Sequence, residues 1–226
     1  MPGCGKDRPR RSASLASRVE LATGDVAVKQ SADSAWAQAI AGDVLHHGSL
    51  VKVGSGDRAL IRLHDGSSIF LRHGTQVELA RQGLVLRTGE VWIEAPPRDK
   101  QPALFSAGQV RVTASNAGLD IKRLEQTAEV YVARGLAVVS SPGGRTEVQA
   151  GERAVVKGDR GRPRLAPVAF WEDWTGGMPD RRLTAGTGGA ATGKIYAINR
   201  GRPGEPPREL EIRSQHVRVA IRDGVA

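Results

Sequence analysis

The sequence has little of what catalytic, metal-binding or secreted proteins are commonly built from. Of its 226 residues a single one, Cys4, is cysteine, which excludes a disulfide framework and a cysteine-based metal site. Aromatic residues make up 4%. No stretch reaches the roughly 18–20 apolar residues of a membrane helix, and residues 1–18 are basic but lack the apolar centre of a signal peptide. The expectation is a chain that is soluble as it stands, either working in the cytoplasm or lacking its export or anchoring segment. Cys4, behind Met1-Pro2-Gly3, is expected to be a thiol in a disordered tail rather than a lipidation site. Helical patterning is scarce as well. Only residues 31–41 allow a helix, with Asp33 or Ser34 as its cap, and a loop that buries Trp36 is the competing reading.

Charge of one sign is also missing where it would matter most. The net charge is +9, yet residues 19–156 carry fifteen basic and fifteen acidic side chains. The excess lies in residues 1–18, with five basic against one acidic, and in residues 157–226, with thirteen against eight. A nucleic-acid-binding domain gathers its basic side chains on a folded face, so no nucleic-acid partner is expected. The basic N-terminal segment would also suit the cytoplasmic flank of a membrane anchor.

What is abundant is glycine, at 28 residues. From Arg18 to about Lys157, short apolar segments alternate with glycine-bearing marks: Thr23-Gly24, Asp65-Gly66, His73-Gly74, Thr88-Gly89, Arg134-Gly135, Gly143-Gly144 and Ala150-Gly151. Segments such as Ala59–Leu63 and Glu129–Val132 lie between them, and Asp-Gly between β-rich runs signals a hairpin. The fold class is therefore all-β, as a short-strand solenoid-like or rolled module, with a β-sandwich as the second choice. The expected organisation is a disordered basic tail over 1–17, a β domain over 18–157, a linker over 158–194, and the start of a second, truncated β domain over 195–226. Phe170–Pro179 is an aromatic element in that linker, where Trp171 and Trp174 are expected to pin the linker rather than bind sugar.

The motifs that could carry chemistry all fall short of it. Gly188–Lys194 has phosphate-loop spacing, but Ile195 stands where a magnesium-binding Ser or Thr belongs, and no strand-to-helix context surrounds it. His46, His47, His64, His73 and His216 form no ligand set, for no pair has the spacing of a helical metal site. Asp43, Asp57, Asp65, Glu90, Asp120 and Glu152 mostly adjoin glycines, as turn residues do. Ser140-Ser141 lies in no nucleophile elbow. Trp36 and Trp92 sit in apolar runs and are expected in the core or half-buried. No catalytic, cofactor-binding or metal-binding residues are expected, and no cofactor.

Taken in order, several segments carry a family likeness. Gly42-Asp43-Val44-Leu45 leads to Gly48–Val53. Ala59–Leu63, Asp65-Gly66-Ser67 and Ile69–Leu71 match the pattern A-x-L-x-L-x-D-G-S-x-L-x-L. Gly89–Ile93, Glu129–Val138 and Gln149–Ala154 follow, the last with a closing A-G-E. This order resembles the FecR domain, the periplasmic sensory part of iron-siderophore anti-sigma regulators, over roughly residues 18–157. Ala117-Gly118-Leu119-Asp120-Ile121 departs from it where Gly-Thr-x-Phe-x-Val is usual, and residues 1–17 are not expected to hold the anti-sigma and transmembrane helices of the namesake regulators. Leu210–Val219 resembles the start of a VIT domain, the β module that precedes von Willebrand A domains in envelope proteins of some Gram-negative bacteria.

The resemblance implies a non-catalytic module of the periplasm or cell envelope that binds a protein or envelope ligand through strand surfaces or edges, with membrane anchoring only through a segment outside this chain. Two alternatives stay open: a transmembrane-signalling regulator of anti-sigma type without its membrane part, and a glycan-binding or glycan-active β module. An exposed face shared by Trp36 and Trp92 beside a carboxylate pair would favour the glycan reading.

Overall fold

The computed structural model describes residues 17–97, 102–158, 160–166, 168, 174–175, 195–197 and 208–210. Among these there are seventeen strands and no helix, in agreement with the all-β expectation. They are β1 (Ser17–Thr23), β2 (Val26–Lys29), β3 (Ala37–Gln38), β4 (Val44–Leu45), β5 (Leu50–Val53), β6 (Arg58–Arg62), β7 (Ser68–Leu71), β8 (Gln76–Leu79), β9 (Leu84–Ala95), β10 (Ala103–Ala107), β11 (Val110–Leu124), β12 (Thr127–Ser141), β13 (Gly144–Gln149), β14 (Arg153–Lys157), β15 (Arg164–Ala166), β16 (Ile195–Ala197) and β17 (Arg208–Leu210). The chain divides into two compact units, residues 1–168 and 169–226. In the second, β16 pairs antiparallel with β17. The rest of the VIT-like stretch, the glycine-rich Gly188–Lys194 segment, Trp171 and His216 lie outside the described residues.

The first unit is a single 15-stranded sheet whose organisation follows from three long strands. The first half of β9 pairs with β8 and, in parallel, with β10; its second half pairs with β7 and β11. β11 pairs with β10 over Val110–Ala114 and with β9 over Ala117–Arg123. β12 carries β14 on its first half and β13 on its second. Two wings result. Wing I runs β3-β2-β5-β8-β9-β10-β11-β12-β13, and wing II runs β4-β1-β6-β7-β9-β11-β12-β14-β15, with β9, β11 and β12 common to both. Buried alternate residues from both wings belong to one apolar cluster, from Val19 and Ile61 to Leu86, Phe105 and Val139. The sheet is therefore folded over on itself with one shared core. Of the arrangements left open by the sequence, the pairings are those of a rolled sheet. Apart from β9 with β10 they are antiparallel, which is not how successive solenoid coils stack.

Glycine makes the fold-over possible. Gly89 lies inside β9 at φ +93°, and a Cβ there would stand 2.5 Å from Thr75 Oγ1. The Thr75 hydroxyl bridges the corner, donating to Glu90 O at 3.0 Å and accepting from Glu90 N at 3.1 Å. Gly135 does the same work in β12 at φ +80°, with the backbone of Asn116 and Ala117 where a side chain would be. Both positions permit the left-handed backbone that other residues rarely adopt. Thr88-Gly89 and Arg134-Gly135, expected as turns, are thus corners within continuous strands. Asp65-Gly66, by contrast, is the tight connection between β6 and β7 that its sequence suggests, with Asp65 Oδ1 accepting from Ser67 N at 2.7 Å.

Residues 31–41 form a loop and the short strand β3, not a helix. That loop does not bury Trp36, which is 40% exposed with Lys52 Nζ 5.3 Å from its ring centroid. β15 adds residues 164–166 to the sheet, pairing with β14 beyond Lys157 in a stretch whose composition reads as linker.

Candidate recognition surface

The residues most unlike ordinary β-surface residues lie on the outward face of wing II. Cross-strand register aligns Leu21, Leu60, Phe70, Trp92, Asp120, Tyr131, Arg153 and Ala166 in one row. Their neighbours along each strand, such as Ile61, Ile69, Val91, Ile93 and Ile121, belong to the core, and alternation turns the row the opposite way. The row changes character along its length. At the β1 end it is apolar, with Leu21 43% exposed and Leu60 and Phe70 half-buried. At its centre Trp92 is fully buried and Asp120 is 4% exposed.

Charged pairs flank the row. On one side Arg62 grips Glu20 at 3.0 Å, and farther along Arg134 pairs with Glu94. Glu94 Oε1 accepts from Trp92 Nε1 at 3.0 Å. Gly118 makes this cluster possible, since a Cβ there would lie 2.9 Å from Trp92 Cζ2, 3.3 Å from Glu94 Oε1 and 3.4 Å from Arg134 Nη1. On the other side Arg72 meets Glu90 at 2.8 Å, Lys122 approaches the same carboxylate at 3.8 Å, and Arg153 reaches Glu129 at 3.2 Å. Pairing of this kind is what lets Glu90 and Glu94 be buried at tolerable cost.

The carboxylates divide into two groups. Asp43, Asp57, Asp65 and Glu152 accept backbone N–H groups from Ile40, Asp25, Ser67 and Gln149, as turn residues should. Glu90 and Asp120, expected in the same group, are instead buried strand residues on the wing II face. Adjacency to Gly89 hid this for Glu90, because that glycine belongs to a strand and not to a turn. Glu94 and Arg134 were not anticipated from sequence at all. The available signal was the spacing of Glu90, Trp92 and Glu94, which puts all three on one face of a strand.

Trp36 and Trp92 do not share an exposed face. Trp92 is a wing II residue without exposure, whereas Trp36 precedes β3 at the edge of wing I. The histidines are dispersed: His64 N donates to Ser17 Oγ, His46 N to Ser49 Oγ, and His47 Nδ1 lies 3.2 Å from Leu79 O. Among the described residues no three His, Cys, Asp or Glu side chains come together as a metal-binding group. A cavity beside Arg123, Gln126 and Gly158 holds about 10 Å³, room for one water molecule. No helix among the described residues is long and apolar enough to cross a membrane.

Two crystal structures of a candidate anti-sigma factor from Parabacteroides distasonis ATCC 8503 are similar to this chain, with TM-scores of 0.48 and 0.46. Each is 18% identical and the match covers 52% of this chain and 59% of the solved one. The chain thus spans about three fifths of the solved protein's length. No curated protein matches it. The family model described as FecR protein matches residues 49–138. It is therefore the stretch from Ser49 to Val138, holding β5 through most of β12 and the greater part of all three shared strands, that is similar to the FecR family.

Proposed function

We propose that the unit built from β1–β15 is a non-catalytic, FecR-type signalling module that recognises a protein partner in the cell envelope. The observation that carries this reading is the apolar end of the wing II face. Leu21, Leu60 and Phe70 run side by side across β1, β6 and β7. Val44, 44% exposed, lies on the adjoining edge strand opposite Arg18, and the Glu20–Arg62 pair stands at the border. An apolar centre with a polar, ion-paired rim is the anatomy of a protein-binding patch. The FecR match over residues 49–138 supports the signalling assignment and includes Leu60 and Phe70. Trp92, buried beside Phe70 in the same row, gives the patch a rigid border. The domain limits read from sequence, 18–157 for the module, 158–194 for a linker and 195–226 for the start of a second β domain, are proposed with one change: the module extends through β15, which belongs to its sheet.

Photoreactive residues at Val44 and Leu60, in cells expressing the chain from its own locus, test this reading. Both are expected to capture one protein of the same mass, while probes at Lys52 and Arg111 on wing I capture none. Equal labelling from both wings, or none from either, would overturn it. The glycan reading is disfavoured by the separation of Trp36 from Trp92.

A further inference from the structure

The two wings end in four edge strands of unequal length. β3 and β4 have two residues each and β15 has three, while β13 has six. Among the described residues β13 pairs only with β12, in a register that places Ser141 opposite Gly144 across the two-residue connection Pro142-Gly143. In such a hairpin the flanking pair exchanges hydrogen bonds, and bonding pairs then recur at every second residue. Gly144, Thr146 and Val148 therefore turn their backbone groups inward to β12, and Arg145, Glu147 and Gln149 turn theirs outward. The partners of Gln149 agree with this parity. Its N–H donates to Glu152 Oε2 at 2.8 Å and its carbonyl accepts from Glu152 N at 3.0 Å, so neither is spent on β12. Two outward N–H groups and two outward carbonyls remain, on Arg145 and Glu147. Both side chains are exposed, and neither takes part in an ion pair or side-chain hydrogen bond among the described residues.

Natural edges are commonly protected by charge, usually of one sign. Here the two charges are opposite and two residues apart, which does more than repel. If β13 meets β13 of a second copy antiparallel about a two-fold axis through Thr146, Arg145 of each copy faces Glu147 of the other. The same register brings all eight outward groups of the two copies into four N–H···O=C bonds. It also sets Thr146 against Thr146, a favourable cross-strand pair. A slip of two residues in either direction loses both charge pairings. We infer that β13 is a homotypic docking edge, through which two copies of this chain join their wing I sheets into one continuous sheet by an isologous contact. The inference is independent of the wing II reading.

Sedimentation velocity on the full chain over a concentration series reads the association. The wild-type chain is expected to dimerise. Arg145→Glu and Glu147→Arg each place two like-charged pairs across the axis and should weaken the dimer by on the order of tenfold. The double variant Arg145→Glu/Glu147→Arg restores both pairings and should restore the dimer. In a Cys4→Ser background, Thr146→Cys should form an interchain disulfide on mild oxidation, because directly opposed residues of a non-bonded pair approach within disulfide reach. Arg145→Cys should not, being two residues out of register with its own copy. A chain that stays monomeric throughout, or a dimer indifferent to both single inversions and not linked at position 146, would overturn the inference.

Discussion

Wing I and wing II are built on the same three strands, yet two of those strands, β9 and β11, are buried differently in each. In wing I the segments of β9 and β11 alternate buried with exposed or half-buried residues, as a sheet with one wet face does. In wing II, Glu90–Ala95 of β9 are buried without interruption, and so are Ala117–Ile121 of β11. The difference arises on the outward side, where wing I shows Lys52, Arg87 and Arg111 and wing II shows Trp92, Glu94 and Asp120. A common backbone frame thus supports one face that only needs to be soluble and another that is packed like an interior. The position of the bend, at Gly89 and near Gly118 and Gly135, decides which residues fall on which face.

The sharpest way to break this comparison is to remove the ring at the centre of wing II. Trp92→Ala should cost about 3–5 kcal/mol of unfolding free energy, read from urea midpoints at constant slope. Trp36→Ala on wing I should cost less than about 1 kcal/mol, as exposed substitutions usually do. Equal losses would mean that the two faces are not packed differently.

Next in size is the contact that only glycine allows. Gly118→Ala should destabilise by about 1–3 kcal/mol through overlap with the indole. The loss should shrink in a Trp92→Phe background, where no atom occupies the place of Cζ2. A double-mutant cycle without coupling would show that Gly118 serves some other purpose than fitting Trp92.

Ion pairs give the smallest contrast. Arg134→Ala strips a donor from the nearly buried Glu94 and should cost about 1–3 kcal/mol. Arg87→Ala, which breaks the more exposed pair with Glu78 on wing I, should cost about 0.2–1 kcal/mol. Adding salt should narrow the Arg87 effect more than the Arg134 effect.

The strand content was legible because glycine and alternation act locally. Asp65-Gly66 between Ala59–Leu63 and Ile69–Leu71 specifies a hairpin within a dozen residues, and the structure contains it. Gly89 and Gly135 carry the same local mark with a different meaning. Positive φ is needed both at a tight turn and at a strand corner, and only pairing with distant strands separates the two. Thr75, which fixes the Gly89 corner, is fourteen residues away. The site was less legible for a related reason. Alternation shows that Glu90, Trp92 and Glu94 share a side, but their neighbours on that side, Gly118, Asp120 and Arg134, arrive from the distant strands β11 and β12. Trp36 misled in the opposite direction: an apolar setting in sequence suggested burial, whereas it precedes the edge strand β3 and stays 40% exposed.

The sharing of β9, β11 and β12 also bears on how the fold guards against its own errors. A strand confined to one sheet that slips by a single residue inverts one set of side chains. In β11 the same slip would expose Val112 and Ala114 in one wing while burying Lys122 in the other. Misalignment along a whole strand is thus penalised twice by one mistake. The long strands act as a proofreading device, and the correct pairing is the one on which two otherwise separate surfaces agree.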